Sequence, residues 1–212
     1  MESGAPALLL EPPFGEVPSA DGRVARGQRT RRRVADALIA ILRDGDPDPT
    51  AKVIAQRAGV SLRLVFHHFC DMDDLYRTVS SLLLERQWRA QPEVSPELAL
   101  PLRIDATVTY RSVLFEDISP VRRAAVRRAG SSPDLTAAIG MSDLLLSENI
   151  RTAFAPELTT RDEAESDELL TAMDAASSWE AWERMRRGSE LPVDTARRIM
   201  TRTLAALLAA QN

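Results

Sequence analysis

Residues 50–69, TAKVIAQRAGVSLRLVFHHF, constrain this chain more than any other stretch. Thr50 is a good N-cap, its hydroxyl able to take a free amide of a first helical turn. Val53, Ile54 and Ala58 follow at helical spacing and are expected to face a core. Gly59 ends that helix, because the positive φ of a C-cap costs glycine little. Ser61 can cap a second helix. Val60 ahead of that cap and Val65 behind it have the spacing of a hydrophobic staple. The spacing predicts two short helices and a tight turn. Val65 and Phe69 point back at the first helix. Leu62, Arg63, Phe66 and His67 point the other way, as i,i+4 pairs must. That outward mixture suits the DNA major groove, where arginine grips guanine and apolar groups meet the thymine methyl. The second helix of a helix-turn-helix reads bases in this manner. The same spacing also suits an ordinary helical hairpin with a plain glycine cap.

The net charge misleads until it is divided along the chain. The 212 residues carry a net charge of −4. Residues 1–22 hold 4 acids and no base, whereas residues 23–90 hold 13 Lys+Arg against 8 Asp+Glu. Residues 91–212 hold 14 against 19. The positive charge therefore sits with the helix-turn-helix, where phosphate neutralisation needs it.

Around this stretch the chain reads as helical throughout, with no strand signature and no internal repeat. Prolines 6, 12, 13 and 18 mark residues 1–22 as a disordered tail. Arginines 23, 26, 29, 31, 32 and 33 follow and, as a set, suggest a phosphate-contacting or minor-groove arm. Val34, Leu38, Ile41 and Leu42 then form the stripe of a first helix, broken over residues 45–49. Asp71 and Asp74 have capping-box spacing at the start of a helix running to about Ala90. Beyond a linker at 91–101, helices are expected over 103–115, from Ser119-Pro120 to Gly130, and from Ser132-Pro133 to about Phe154. A long helix follows, from Thr160 or Asp162 through Met185, and a last one from Val193 to about Ala210.

The stretch from about Gly27 to Arg86 resembles the DNA-binding domain of the TetR family of transcriptional regulators. The match is carried by Thr30-Arg31-Arg32-Arg33 leading into Val34-Ala35-Asp36-Ala37-Leu38, by Thr50, Ile54-Ala55 and Ala58-Gly59-Val60-Ser61, by the tetrad Phe66-His67-His68-Phe69, and by Leu75. The resemblance implies an all-α chain. A three-helix helix-turn-helix domain at 23–88 precedes a helical ligand-binding and dimerisation domain at 89–212. It further implies a homodimer on a double-stranded operator, an unidentified small-molecule effector, a repressor's role and a prokaryotic cytoplasm. Leu62, Arg63, Phe66 and His67 would then read bases. Thr50, Lys52, Ser61, His68 and the arginines Arg31, Arg32 and Arg33 would hold phosphates. Two features depart from the family. Phe66 lacks the tyrosine hydroxyl, and Met72 with Asp73-Asp74 replaces the usual lysine of the fourth helix. Asp71, Asp73 and Asp74 would repel phosphate and, with the missing tyrosine, they motivate an alternative: a helical small-molecule-binding or protein-interaction module with weakened DNA binding.

Other chemistries find little support. The lone cysteine, Cys70, precludes an intrachain disulfide and fits a reducing compartment. His67 and His68 diverge by about 100° on a helix and suit no common metal. No phosphate loop, catalytic constellation, cofactor motif or membrane-length apolar run is present, so an enzyme is not expected. Tyr110, Phe115, Met141, Leu145, Met173 and Trp179 are candidates to line an effector pocket. Trp182, Ile199, Met200, Thr203, Leu204 and Leu207 are candidates for a dimer seam of terminal helices.

Overall fold

Helix follows helix from Gly22 onward, and among the described residues every regular element is helical. The computed structural model describes residues 22–209, so the expected disordered tail lies outside them apart from Gly22. The elements are α1 (Gly22–Arg43), α2 (Ala51–Ala58), α3 (Leu62–His68), α4 (Met72–Ala90), α5 (Leu100–Ala129), α6 (Pro133–Ala153), α7 (Ala155–Thr159), α8 (Glu163–Ala176), α9 (Trp179–Glu183), a π turn (Arg184–Gly188) and α10 (Val193–Ala209).

They form two compact units. The first holds α1–α4, the C-terminal part of α5 from Pro120 and the start of α6 to Ile139. Its core gathers Val34, Leu38 and Ile41 of α1, Ile54 of α2, Val65 and Phe69 around α3, and Leu75, Val79 and Leu82 of α4. These are the apolar positions of each amphipathic stripe. The second unit spans residues 90–119 and 140–209. There α10 lays Ala196, Met200, Leu204 and Leu208, an i,i+4 row, into the core beside α8.

Several expectations need correction. The basic stretch 22–33 is not a separate arm but the first turns of α1, since arginine is a good helix former, no proline intervenes and the single interior glycine, Gly27, is tolerated. Val53 does not face a core; it is 39% exposed while Ile54, Ala55 and Ala58 are buried. Ser119-Pro120 opens no helix. Pro120 lies inside the 30-residue α5, and Ser119, instead of capping, accepts the indole N–H of Trp179 at 2.9 Å. The long helix expected through Met185 is broken at Ser177. Asp162 caps its start as expected, accepting the Glu165 amide at 2.9 Å, but Ser178 starts α9 by accepting the Ala181 amide at 3.1 Å.

Candidate nucleic-acid interface

The turn between α2 and α3 is built as its residues demand. Thr50 Oγ1 accepts the Val53 amide at 3.4 Å, and Ser61 Oγ accepts that of Leu64 at 3.2 Å. Gly59 takes the left-handed conformation, φ 65° and ψ 39°, and its N–H closes α2 on the carbonyls of Ala55 and Gln56. Val65 and Phe69 are buried against the domain. Leu62 and Phe66, one turn apart, are 42% and 49% exposed. Arg63 and His67 are exposed beside them, as are Thr50, Lys52 and Ser61. The expected base-reading group of Leu62, Arg63, Phe66 and His67 thus stands together on one solvent face.

The three consecutive arginines of α1 make contacts within their own unit. Arg33 Nη2 donates to Ala58 O, the last carbonyl of α2, at 2.6 Å. Arg31 Nη1 donates to His68 O, the last carbonyl of α3, at 3.2 Å, and its Nη2 to Thr78 Oγ1 at 3.0 Å. Its guanidinium also lies 4.7 Å from the centroid of the Phe69 ring. Both cations therefore sit at helix C-termini, where the macrodipole is negative and carbonyls lack donors. Arg32 pairs with Asp36 at 3.3 Å. A Cβ on Gly59 would meet Arg33 Nη2 at 3.1 Å, so the glycine also leaves room for this brace. Alternating inward arginines on a helix otherwise solvated at its start would have been the signal in the sequence.

His68 is half-buried, and a Cβ on Gly27 of α1 would lie 3.7 Å from its ring. Burial, and then the neighbouring charges of His67 and Arg31, hold its pKa below the ordinary 6.5. A neutral His68 can offer phosphate a hydrogen bond but no charge.

The acids of α4 are also committed within the unit. Asp71 caps α4, accepting the Asp74 amide at 2.8 Å. Asp74 in return accepts the Cys70 amide at 3.1 Å, one residue further back than a capping box requires. Asp74 pairs with Arg77 at 2.7 Å and stands 4.0 Å from Arg31. Asp73 stands 3.4 Å from Arg128 of α5, which also grips Asp48 at 2.7 Å and lies 4.6 Å over Tyr76. Two of the three aspartates expected to repel DNA are thus neutralised by partners of their own.

The expected pocket and seam residues separate in the second unit. Phe115, Met173 and Trp179 are buried, whereas Tyr110, Met141 and Leu145 are half-buried. Burial drives the Tyr110 phenol up to about 12. Of the seam candidates, Trp182, Met200 and Leu204 are spent on their own subunit's core, at 1%, 1% and 0% exposed. Ile199, at 42%, is exposed, with Thr203 and Leu207 half-buried along the same face.

Comparison with protein-family models gives no match, and comparison with curated proteins gives none. Solved structures do match. A transcriptional regulator from Rhodococcus aligns at TM-score 0.67 and 18% identity, over 84% of this chain and 95% of that one. A candidate TetR-family transcriptional regulator from Mesorhizobium loti aligns at 0.65 and 18%, over 87% and 97%. The multidrug-binding protein EbrR, complexed with imidazole, aligns at 0.56 and 18%, over 82% and 93%. The class is therefore an all-α fold with an N-terminal helix-turn-helix and a helical C-terminal part. More particularly, it is the fold of TetR-type transcriptional regulators.

Proposed function

We propose that this protein is a DNA-binding transcriptional regulator that acts as a homodimeric, ligand-responsive repressor on a palindromic operator. The observation that carries the proposal is the exposed row Leu62, Arg63, Phe66 and His67 on α3, a helix capped at both ends and braced from α1. Arg63 supplies the bidentate base contact, and Leu62 and Phe66 the contact with thymine methyls. Lys52, Thr50 and Ser61 at the helix starts, with the exposed Arg26 and Arg29 of α1, hold phosphates. Arg31 and Arg33 leave that set because their donors serve α3 and α2. The face of Ile199, Thr203 and Leu207 carries the second copy, which a two-fold operator with half-sites about 34 Å apart requires. An effector bound in the C-terminal part favours a dimer whose reading helices miss that spacing, and DNA weakens the effector by the same factor. The multidrug-binding neighbour lends support to an effector.

The alternative of a module with weakened DNA binding rests on the acidic start of α4 and on Phe66 in place of the family's tyrosine; the ion pairs of Asp73 and Asp74 weigh against the first motive and leave the second. Arg63→Ala provides the test. Binding to the operator should fall by about 1–3 kcal/mol, with binding to random DNA nearly unchanged. Equal loss on both DNAs would make Arg63 a phosphate contact, and no loss on either would sink the assignment.

A further inference from the structure

One face of α5 carries polar side chains into the core of the second unit. Arg103, Thr107 and Arg111 recur every fourth residue and are 4%, 1% and 0% exposed. Two hydrogen bonds fix their register against α6: Arg103 Nη1 donates to Ala153 O at 2.9 Å, and Arg111 Nη2 to Leu146 O at 2.7 Å. Asn149 of α6 lies in sequence between the two acceptor residues, Leu146 and Ala153. Asn149 is 6% exposed.

Arg103 is fully served, by both carboxylate oxygens of Glu157 at 2.6 Å and by Leu98 O at 2.8 Å. Its neighbours are not. Thr107 Oγ1, Arg111 Nε and Asn149 Oδ1 have no hydrogen-bond partner among the described residues. Buried polar atoms are almost always paired, and three orphans on two helices joined by the Arg103 and Arg111 hydrogen bonds ask for a common partner. Arg111 is buried, with the carboxylate of Asp174 at 3.9 Å and itself partly exposed. Burial lowers Arg111 to about 10, against the carboxylates of Asp174 and Asp143, and burial also raises Asp174.

We propose that this stretch of α5 and α6 is the head-group end of the effector site, and that the effector is a monocarboxylate with an apolar body. The inference rests on the ligand-responsive reading above. Arg111 Nε and the Thr107 hydroxyl donate to the carboxylate. Asn149 does so too once its amide turns to present nitrogen, the two orientations being interchangeable in shape. The apolar body lies towards Phe115, one turn along the same stripe, and Met173, whose carbonyl accepts from the Ser177 hydroxyl that Arg111 also grips.

The test uses the full chain without DNA, titrated with octanoate and benzoate and with octanamide and benzamide, read by thermal shift and calorimetry. Octanoate or benzoate should raise Tm saturably, with the matching amide at least tenfold weaker. Thr107→Val and Asn149→Leu should each weaken the acid about tenfold, the loss of one charge-assisted hydrogen bond. Thr107→Val should leave the ligand-free Tm unchanged or higher, since it removes an orphan. No shift with either acid, equal binding of acid and amide, variants that bind like wild type, or a lower ligand-free Tm in Thr107→Val would each overturn the proposal. Because no DNA is present, failure here leaves the operator reading standing, and absence of operator binding leaves the carboxylate site standing.

Discussion

Arg31 decides how the basic start of α1 is understood. A phosphate contact and a helix brace make opposite predictions for one substitution. Arg31→Met should lower stability by about 1–2 kcal/mol in urea titration, because it frees the His68 carbonyl and the Thr78 hydroxyl. A pure phosphate contact would leave stability unchanged and reduce the salt slope of DNA binding by about one. His68 adds a pH signature. Its folded pKa is below the unfolded 6.5, so the unfolded chain binds the proton more readily. The stability contribution is complete above pH 6.5 and is lost as pH falls below it. His68→Gln should flatten that slope in unfolding measured across pH 5 to 7.

At the scale of elements, the sequence showed what local chemistry controls. Thr50, Gly59 and Ser61 announce their caps, and the apolar rows of α1 and α4 announce their buried faces. Long-range partners were hidden. Nothing near Ser177 foretells that Arg111, 66 residues away, takes its carbonyl and so favours a break between α8 and α9. Nothing near Ser119 reveals that Trp179 occupies its hydroxyl, so the serine-proline pair resembled a helix start. In α5 the proline is tolerated rather than required, and Pro120→Ala should raise stability by about 1–3 kcal/mol in denaturant titration. The brace between α5 and α7 has its own pH window. Glu157 is held below its ordinary 4.5 by the hydrogen bond from Arg103, so its contribution is complete above that pH and is lost as pH falls through the lowered value. Glu157→Gln should cost about 2–3 kcal/mol at pH 7 and remove most of that acid sensitivity.

At the scale of the whole molecule, the proposed dimer depends on the division of α10 into a buried and an exposed face. Leu204 belongs to the subunit core and Ile199 to the surface. Ile199→Glu should yield a folded monomer by sedimentation with helicity retained, whereas Leu204→Glu should lose the fold itself. The helix-turn-helix unit was legible in the sequence from its caps and its charge balance. Which apolar residues of α10 stay exposed was not, because buried and exposed apolar residues of one helix look alike until their neighbours are placed. The most direct test is a salt titration of the full chain on an inverted repeat from the DNA flanking its own gene. A DNA-reading dimer should weaken linearly on a log–log plot, losing about 0.9 in slope for each phosphate neutralised and so several in all. Absence of binding even at low salt, or binding that ignores salt, would contradict it.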